Sequence, residues 1–290
     1  MRNLNFRDYL LMPLPIPPRE EQEAIARILD AVDDAIERTR EAIEKSRELR
    51  EALIHELLQV GVRNEKYQKS KAGLIPQSWD CEKLGDHLAS GPTNGLYRPE
   101  SDYGNRGTRI VRIDSFDFGR IHDISALRRV NVEPIIVHRY SLRAGDLLIN
   151  RVNSLSHIGK AAIVLELEEQ TIFESNMMVL RCDKRLLPEF LILVLCSDIA
   201  RKHWLARAKP AVNQASINQR DVRELLIPIP KIDEQEKIVQ IISAANNRLT
   251  QLQKLISAQQ NLKKSLMHDL LTGKVRVNIN IMNTHLRTTP

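Results

Sequence analysis

The sequence predicts an α/β domain flanked by two long α-helices that pair with each other as a coiled coil, antiparallel if both belong to one chain. Three observations predict this. A Pro-x-Pro turn with an acidic helix start occurs twice, as LPIPPREEQEAI at residues 14–25 and IPIPKIDEQEKI at 227–238. Each copy continues into about 40 residues with apolar positions three and four apart, the spacing of a coiled-coil seam. Between the copies lie roughly 150 residues, about one ordinary domain.

Sliding residues 14–63 onto 227–276 without a gap gives 16 identities in 50 pairs, among them Pro15/Pro228, Glu21/Glu234, Gln22/Gln235, Leu58/Leu271 and Arg63/Arg276. Residues 4–8, LNFRD, pair with 217–221, INQRD, at the same offset. The similarity therefore starts ahead of the turn, and the first copy reads as one that has lost the segment before it. A separation of 213 positions is too long for a solenoid, whose period is about 20–50 residues.

The prolines before each helix start fix an extended entry and stop the helix growing backwards. Asp233 is expected to cap the second helix, with Glu236 reaching back in a capping box; Glu20 and Glu23 do this more weakly in the first. The first seam runs through Ile25, Leu29, Val32, Ile36, Thr39, Ala42 or Ile43, Ser46, Leu49, Leu53 and Leu57. The second runs through Ile238, Ile242, Ala245, Leu249, Leu252, Leu255 or Ile256, Gln259, Leu262, Leu266 and Leu270. A phase slip lies near the middle of each, and helices much beyond about 25 residues point to a coiled coil rather than an ordinary core helix. Residues 19–63 carry 8 basic against 12 acidic side chains and residues 227–277 carry 8 against 4, so the arms are electrostatic complements. Opposite flanking charges favour pairing of unlike arms, within one chain or in a symmetric dimer.

The middle, residues 64–226, holds 24 basic and 20 acidic residues, a mild excess that suits nucleic acid without requiring it. Strand-like runs occur at 108–113, 146–151, 160–165 and 177–182, a helical pattern at 188–206 and a short one at 217–225. Three donor-rich polar loops separate them: GPTNGLYRPE at 91–100, NRVNSLSHIGK at 150–160 and AKPAVNQASIN at 208–218. In these loops Arg98, Arg151 and Lys209 are long cations able to reach phosphate or guanine, while Asn94, Asn153, Asn213 and Gln214 offer the donor–acceptor pair that suits adenine. Tyr97, Ser154 and His157 complete the candidate contact set.

A 42% hydrophobic composition can bury a core, and no apolar run reaches the roughly 18 residues of a membrane span. With no secretory signal at the N-terminus, the expectation is a folded cytoplasmic protein with no membrane partner. Cys81, Cys182 and Cys196 lack metal-ligand spacing and read as reduced interior thiols. Catalytic motifs are missing too. Five residues ahead of the glycines in Gly159-Lys160 and Gly273-Lys274 stand Ser154 and His268, so neither pair forms a P-loop. No lysine has an acidic residue two places before it, and Pro17-Pro18 sits in IPPR rather than in a base-methyltransferase loop. His55 and His268 occupy matching places near the helix ends, where a cation suits the dipole.

LIPQSWDCEKLGD at 74–86, YSLRAGDLLINR at 140–151 with IGKAAIV at 158–164, and NQASINQRDVRELLIPIPKIDEQEKI at 213–238 with the closing LLTGKVR resemble the DNA specificity subunit of type I restriction-modification systems. The resemblance covers nearly the whole chain. It implies an α/β target-recognition domain flanked by conserved spacer helices that pair as an antiparallel coiled coil, with each recognition domain reading one half of a split DNA target. Residues 1–18 then correspond to the end of a first recognition domain, 19–63 to the first spacer helix, 64–230 to a recognition domain, 231–277 to the second helix and 278–290 to a flexible tail. The implied partners are double-stranded DNA, modification (methyltransferase) subunits and, through them, restriction (endonuclease) subunits. Ile28, Leu58, Ile241 and Leu271, outside the seam, are the expected docking residues. The subunit catalyses nothing and binds no cofactor; S-adenosylmethionine, ATP and Mg are expected on its partners. The chain departs from the family pattern in having two helical regions and one complete recognition domain, which implies pairing with itself, pairing with a separately encoded first half, or an inactive gene fragment. A coiled-coil scaffold or dimerisation protein without DNA specificity is the competing reading.

Overall fold

The computed structural model describes residues 15–63, 65–117, 119–211 and 214–277. Most of the expected 1–18 remnant and all of the 278–290 tail therefore lie outside the described residues. Two compact units are present, one formed by residues up to 50 with those from 244 onward, the other by residues 51–243.

Helix α1 covers Arg19–Val60. It begins where Pro18 leaves its carbonyl to accept from the amides of Glu21 and Gln22 at 2.9 and 3.0 Å, and the expected exit near Arg63 falls three residues later than the observed one. In the first unit Ile25, Ile36, Thr39 and Ile43 are buried as the seam predicts. Leu49 is not; it stands 57% exposed, and the half-buried Arg50 takes its place and donates to Asn246 Oδ1 at 2.6 Å. Farther along, Lys263 Nζ meets both Asp33 carboxylate oxygens at 2.5 and 2.6 Å while Leu262 is exposed. The Arg276 guanidinium donates to the buried Glu21 carboxylate at 2.7 and 2.5 Å. These hydrogen bonds hold Glu21 below the usual carboxylate range, against the opposing effect of burial.

The second unit contains short helices α2 (Pro134–Tyr140), α3 (Pro188–Leu195), α4 (Asp198–Arg207) and α5 (Gln219–Arg223), and the start of the long α6 (Ile232–Leu271). The expected helix at 188–206 is broken at Cys196–Ser197, because Ser197 caps the new helix through the Ile199 amide at 3.3 Å. Asp233 lies inside the first turn of α6 rather than at its cap, and its carboxylate takes the Arg63 guanidinium at 2.5 Å.

A six-stranded sheet runs, edge to edge, through Leu88–Asn94, Met177–Cys182, Leu147–Asn150, Ala161–Ile163, Gly119–Ile121 and Phe116–Asp117. Its pairings are antiparallel except that of Ala161–Ile163 with Gly119–Ile121. Both faces are covered: Leu147, Ile149, Met178 and Leu180 join Phe190, Trp79 and Ile238 on one side, while Leu148, Ala162 and Val179 join Phe116 and Phe173 on the other. Two-sided burial explains why these strands read as continuous apolar runs rather than alternations. A four-stranded sheet orders Thr171–Phe173, Thr108–Val111, Arg129–Val130 and Tyr103–Gly104. Leu226–Ile229, which carries the second Pro-x-Pro turn, pairs antiparallel with Asp80–Lys83. Cys81, Cys182 and Cys196 form no disulfide, and burial pushes the Cys182 thiol up to about 12, leaving it unreactive.

A prediction follows from the Glu21–Arg276 pair. Because the folded carboxyl titrates below its unfolded value, its contribution is fully present above about pH 4.3 and is lost as pH falls through the lower folded value. Glu21→Gln should lower the urea midpoint at pH 7, with the gap to wild type closing under acid; a gap independent of pH would contradict this assignment.

Candidate nucleic-acid interface

The three donor-rich loops are brought to one place by backbone pairing. Asn150 ends a strand of the large sheet, and Val152–Asn153 then pairs antiparallel with Gln214–Ser216, Val152 facing Ser216 and Asn153 facing Ala215. On its other side Gln214–Ser216 pairs with Lys209–Ala211, Lys209 facing Ser216 and Ala211 facing Gln214. The second and third loops are thus one three-stranded sheet. The first joins through residues 174–177: the Gly95 amide donates to Met177 O at 3.1 Å, Ser175 N to Leu96 O at 3.0 Å, and Arg151 N to Asn176 O at 2.8 Å. Arg151 Nη1 also donates to the Ser175 carbonyl at 3.3 Å. Sequence reasoning missed this ESN linker; its signal was the polar interruption between Thr171–Phe173 and Met177–Cys182.

Asn94, Lys209 and Gln214 are exposed, and Tyr97 is 75% exposed. Arg98, Arg151, Asn153 and Ser154 are half-buried. His157 is exposed; its Nδ1 lies 2.9 Å from each of the Ser154 and Ser156 hydroxyls, which are 3.0 Å apart, and the Ser154 amide donates to Asn153 Oδ1 at 2.8 Å. This network shapes the tip of the second loop. Asn213 lies outside the described residues.

Behind this tip the loop is fixed by groups that face inward. Lys160 Nζ donates to Ile113 O at 2.8 Å and sits 4.8 Å from the Phe116 ring centre; burial lowers its pKa, with Asp117 and Asp114 opposing. Gly159, at φ +73, lies so close to Trp204 that an added Cβ would meet the indole at 2.1 Å. Asn150 is fully buried, and among the described residues neither atom of its side-chain amide has a hydrogen-bond partner. Gly95 is equally constrained, since a Cβ there would meet the Glu174 carbonyl at 2.3 Å. Opposed residues of a ladder share a face and successive ones alternate, so Lys209, Gln214 and Ser216 lie on one face of the three-stranded sheet and Asn153 with Ala215 on the other. Among the described residues no group of three His, Cys, Asp or Glu side chains could hold a metal ion, and no helix is long and apolar enough to cross a membrane.

The docking candidates fare unequally. Ile241 and Leu271 are 39% and 51% exposed and Ile28 is half-buried, but Leu58 is only 2% exposed and belongs to the core around Trp79 and Ile238, which corrects its expected surface role. Leu49 and Leu262, expected in the seam, are instead exposed and occupy the same place in the two repeat copies.

Comparison supplies the family. The family profile described as type I restriction modification DNA specificity domain matches residues 1–45 and 136–260, more than half of the chain, and the chain belongs to this family. It is 33% identical over 215 residues to the putative type I restriction enzyme MjaX specificity subunit of Methanocaldococcus jannaschii, covering 73% of this chain and 50% of that protein. To the EcoKI specificity subunit of Escherichia coli it is 25% identical over 282 residues, 95% of this chain and 60% of the relative. The chain thus spans half to about three fifths of these relatives' length. The HsdS subunit from Thermoanaerobacter tengcongensis shares the fold with a TM-score of 0.54 at 17% identity, over 95% of this chain and 65% of that one. The S subunit from M. genitalium does so at 0.55, also at 17% identity, over 93% and 66%.

Gly159→Ala is predicted to destabilise the second unit by about 1–3 kcal/mol, because a methyl group must displace a fully packed indole at a positive φ. A wild-type urea midpoint for this variant would show that Trp204 does not hold the loop.

Proposed function

We propose that this chain is the sequence-specific DNA-recognition subunit of a type I restriction-modification complex, reading one half of a bipartite target and itself catalysing nothing. The observation that carries the reading is the convergence of the three polar loops through backbone pairing, in a chain of this family. Rigid backbone positions the donors, and phosphate contacts fix register while base contacts select sequence. Arg98, Arg151 and Lys209 meet phosphate or guanine; Asn94, Asn153, Asn213 and Gln214 meet adenine; Tyr97, Ser154 and His157 line the same surface.

In this reading residues 64–230 form the recognition domain, 19–63 and 231–277 the spacer helices, and 1–18 the end of another recognition domain. The helices pair as an antiparallel coiled coil, which is supported by the Asp33–Lys263, Arg50–Asn246 and Glu21–Arg276 contacts, whose partners run in opposite directions along the chain. Ile28, Ile241 and Leu271 dock modification subunits, and exposed Leu49 and Leu262 extend that surface. Restriction subunits join through them, S-adenosylmethionine, ATP and Mg reside on those partners, and the complex works in the cytoplasm.

Two tests apply. Asp33→Lys and Lys263→Asp singly should each weaken helix pairing and the double swap restore it, with a coupling of about 0.2–1 kcal/mol for so exposed a pair; zero coupling would remove support for the pairing. For the DNA surface, each loop residue is changed to alanine in the assembled complex and binding is measured on cognate and scrambled duplexes across salt. A lost phosphate contact flattens the salt slope by about one unit on every sequence, whereas a lost base contact costs about 1–3 kcal/mol on the cognate target alone. Wild-type affinity, discrimination and slope throughout would place the interface elsewhere.

A further inference from the structure

The hairpin formed by Tyr67–Ser70 and Gly73–Pro76 lies outside the three polar loops and has two unlike faces. Its ladder pairs Gln68 with Ile75 and Lys69 with Leu74, so Gln68 and Ile75 share one face while Tyr67, Lys69 and Leu74 share the other. The first face is tied down. Ile75 is 1% exposed, in the core with Trp79 and Leu58, and Gln68 Nε2 donates to the Trp79 and Gln77 carbonyls at 2.8 and 3.2 Å. Ser70 Oγ fixes the tip, donating to Gly73 O at 2.8 Å and accepting from the Ala72 amide at 3.1 Å. At the base the Gln77 amide donates to Lys66 O at 2.8 Å. The second face is open: Tyr67 and Leu74 are 42% and 49% exposed, and Lys69 is exposed between Lys66 at the base and Lys71 at the tip, both also exposed.

These three lysines have no carboxylate partner among the described residues, unlike Arg109, Arg128, Arg129 and Arg181 of the same unit, which all have one. Glu65 is the one acidic residue between positions 65 and 79, and its carboxylate accepts from the Ser78 hydroxyl. We propose that the open face of this hairpin grips the sugar-phosphate backbone of duplex DNA without reading its sequence. Ammonium groups and the Tyr67 hydroxyl are donors of the kind that hold phosphate, and no side chain of that face offers the paired donor and acceptor that suits a base edge. One tyrosine and one leucine are too little apolar surface to seat a protein, which takes roughly 800 Å² per partner. Charge therefore decides the occupant. The inference takes its ligand from the DNA-binding reading but needs nothing from the polar loops. A random-sequence duplex tests it, whereas the loops are tested by discrimination between sequences, so either can fail alone.

Two variants of the full chain test this. One combines Lys66→Gln, Lys69→Gln and Lys71→Gln; the other removes equal charge from the same unit through Lys184→Gln, Lys202→Gln and Lys231→Gln, which lie outside the hairpin. All six side chains are exposed, so neither variant removes packing. Fluorescence anisotropy of a labelled random-sequence duplex is followed from about 50 to 200 mM salt. The hairpin variant should bind more weakly and flatten the dependence of log affinity on log salt by about 2–3 units, close to 0.9 per lost phosphate contact, while the control slope stays within about half a unit of wild type. An unchanged slope for the hairpin variant would overturn the proposal. Equal flattening in both variants would overturn it too, because net charge alone would then account for the binding. Lost co-purification with modification subunits alongside an intact DNA slope would also overturn it, giving the face to a protein partner.

Discussion

Burying a carboxylate beside an arginine where one helix starts and the other ends is the constraint on which the rest of this structure depends. Glu234 is 1% exposed, in the first turn of α6, where unsatisfied amides favour negative charge. A buried carboxylate is costly unless both charge and lone pairs are met, and here the Val62 amide and Arg63 meet them. The consequence is topological. Residues that leave the first helix and residues that enter the second are held side by side, so the excursion between them closes at its base. Gly61 makes the approach possible, since at φ +69 a Cβ would stand 2.8 Å from Glu234 Oε1 and 3.1 Å from Trp79. A Leu226–Ile229 strand paired with Asp80–Lys83 then seals the base from the domain side.

That closure was only partly legible in the sequence. The repeat placed both helices and their turns, since proline and acidic residues at a helix start are local signals. It also matched Arg63 with Arg276, without indicating that each would meet the glutamate of the other copy. Ile36, Thr39 and Ile43, expected on the apolar seam, are buried, whereas Leu49 and Leu262 are exposed where long cations compete with leucine. Arg50 and Lys263 fill half-buried positions because their aliphatic stems pack while their heads reach Asn246 and Asp33. A count of apolar spacing cannot foresee this, and it assigned Leu49 and Leu262 to the interior. Leu58 was misjudged for the opposite reason, since its burial depends on Trp79 and Ile75, which are distant in sequence.

The candidate interface shows the same division. Each polar loop was identifiable from its composition, but their meeting was not, because it depends on strand pairing between residues near 152 and residues near 215 and on the 174–177 linker. The loop glycines carry meaning that composition alone did not give: Gly159 lies against Trp204 and Gly95 against the Glu174 carbonyl, so both act by letting backbone approach closely. Lys160, at the end of the second polar loop, points inward onto Phe116 and Ile113 O.

The distribution of ion pairs sharpens what a modest net charge can do. In the second unit, Arg109, Arg128, Arg129 and Arg181 are engaged with Glu168, Glu169, Glu100 and Asp146. Arg112 joins Arg128 in flanking the Tyr103 ring. These cations cancel locally and contribute little field at a distance. Arg98, Arg151 and Lys209 have no carboxylate partner among the described residues, and they lie in the loops that the strand pairing gathers. A domain with a small overall excess can therefore present a locally positive surface, which is the quantity that attracts a polyanion. Neutral amides from Asn94, Asn153 and Gln214 lie in the same loops.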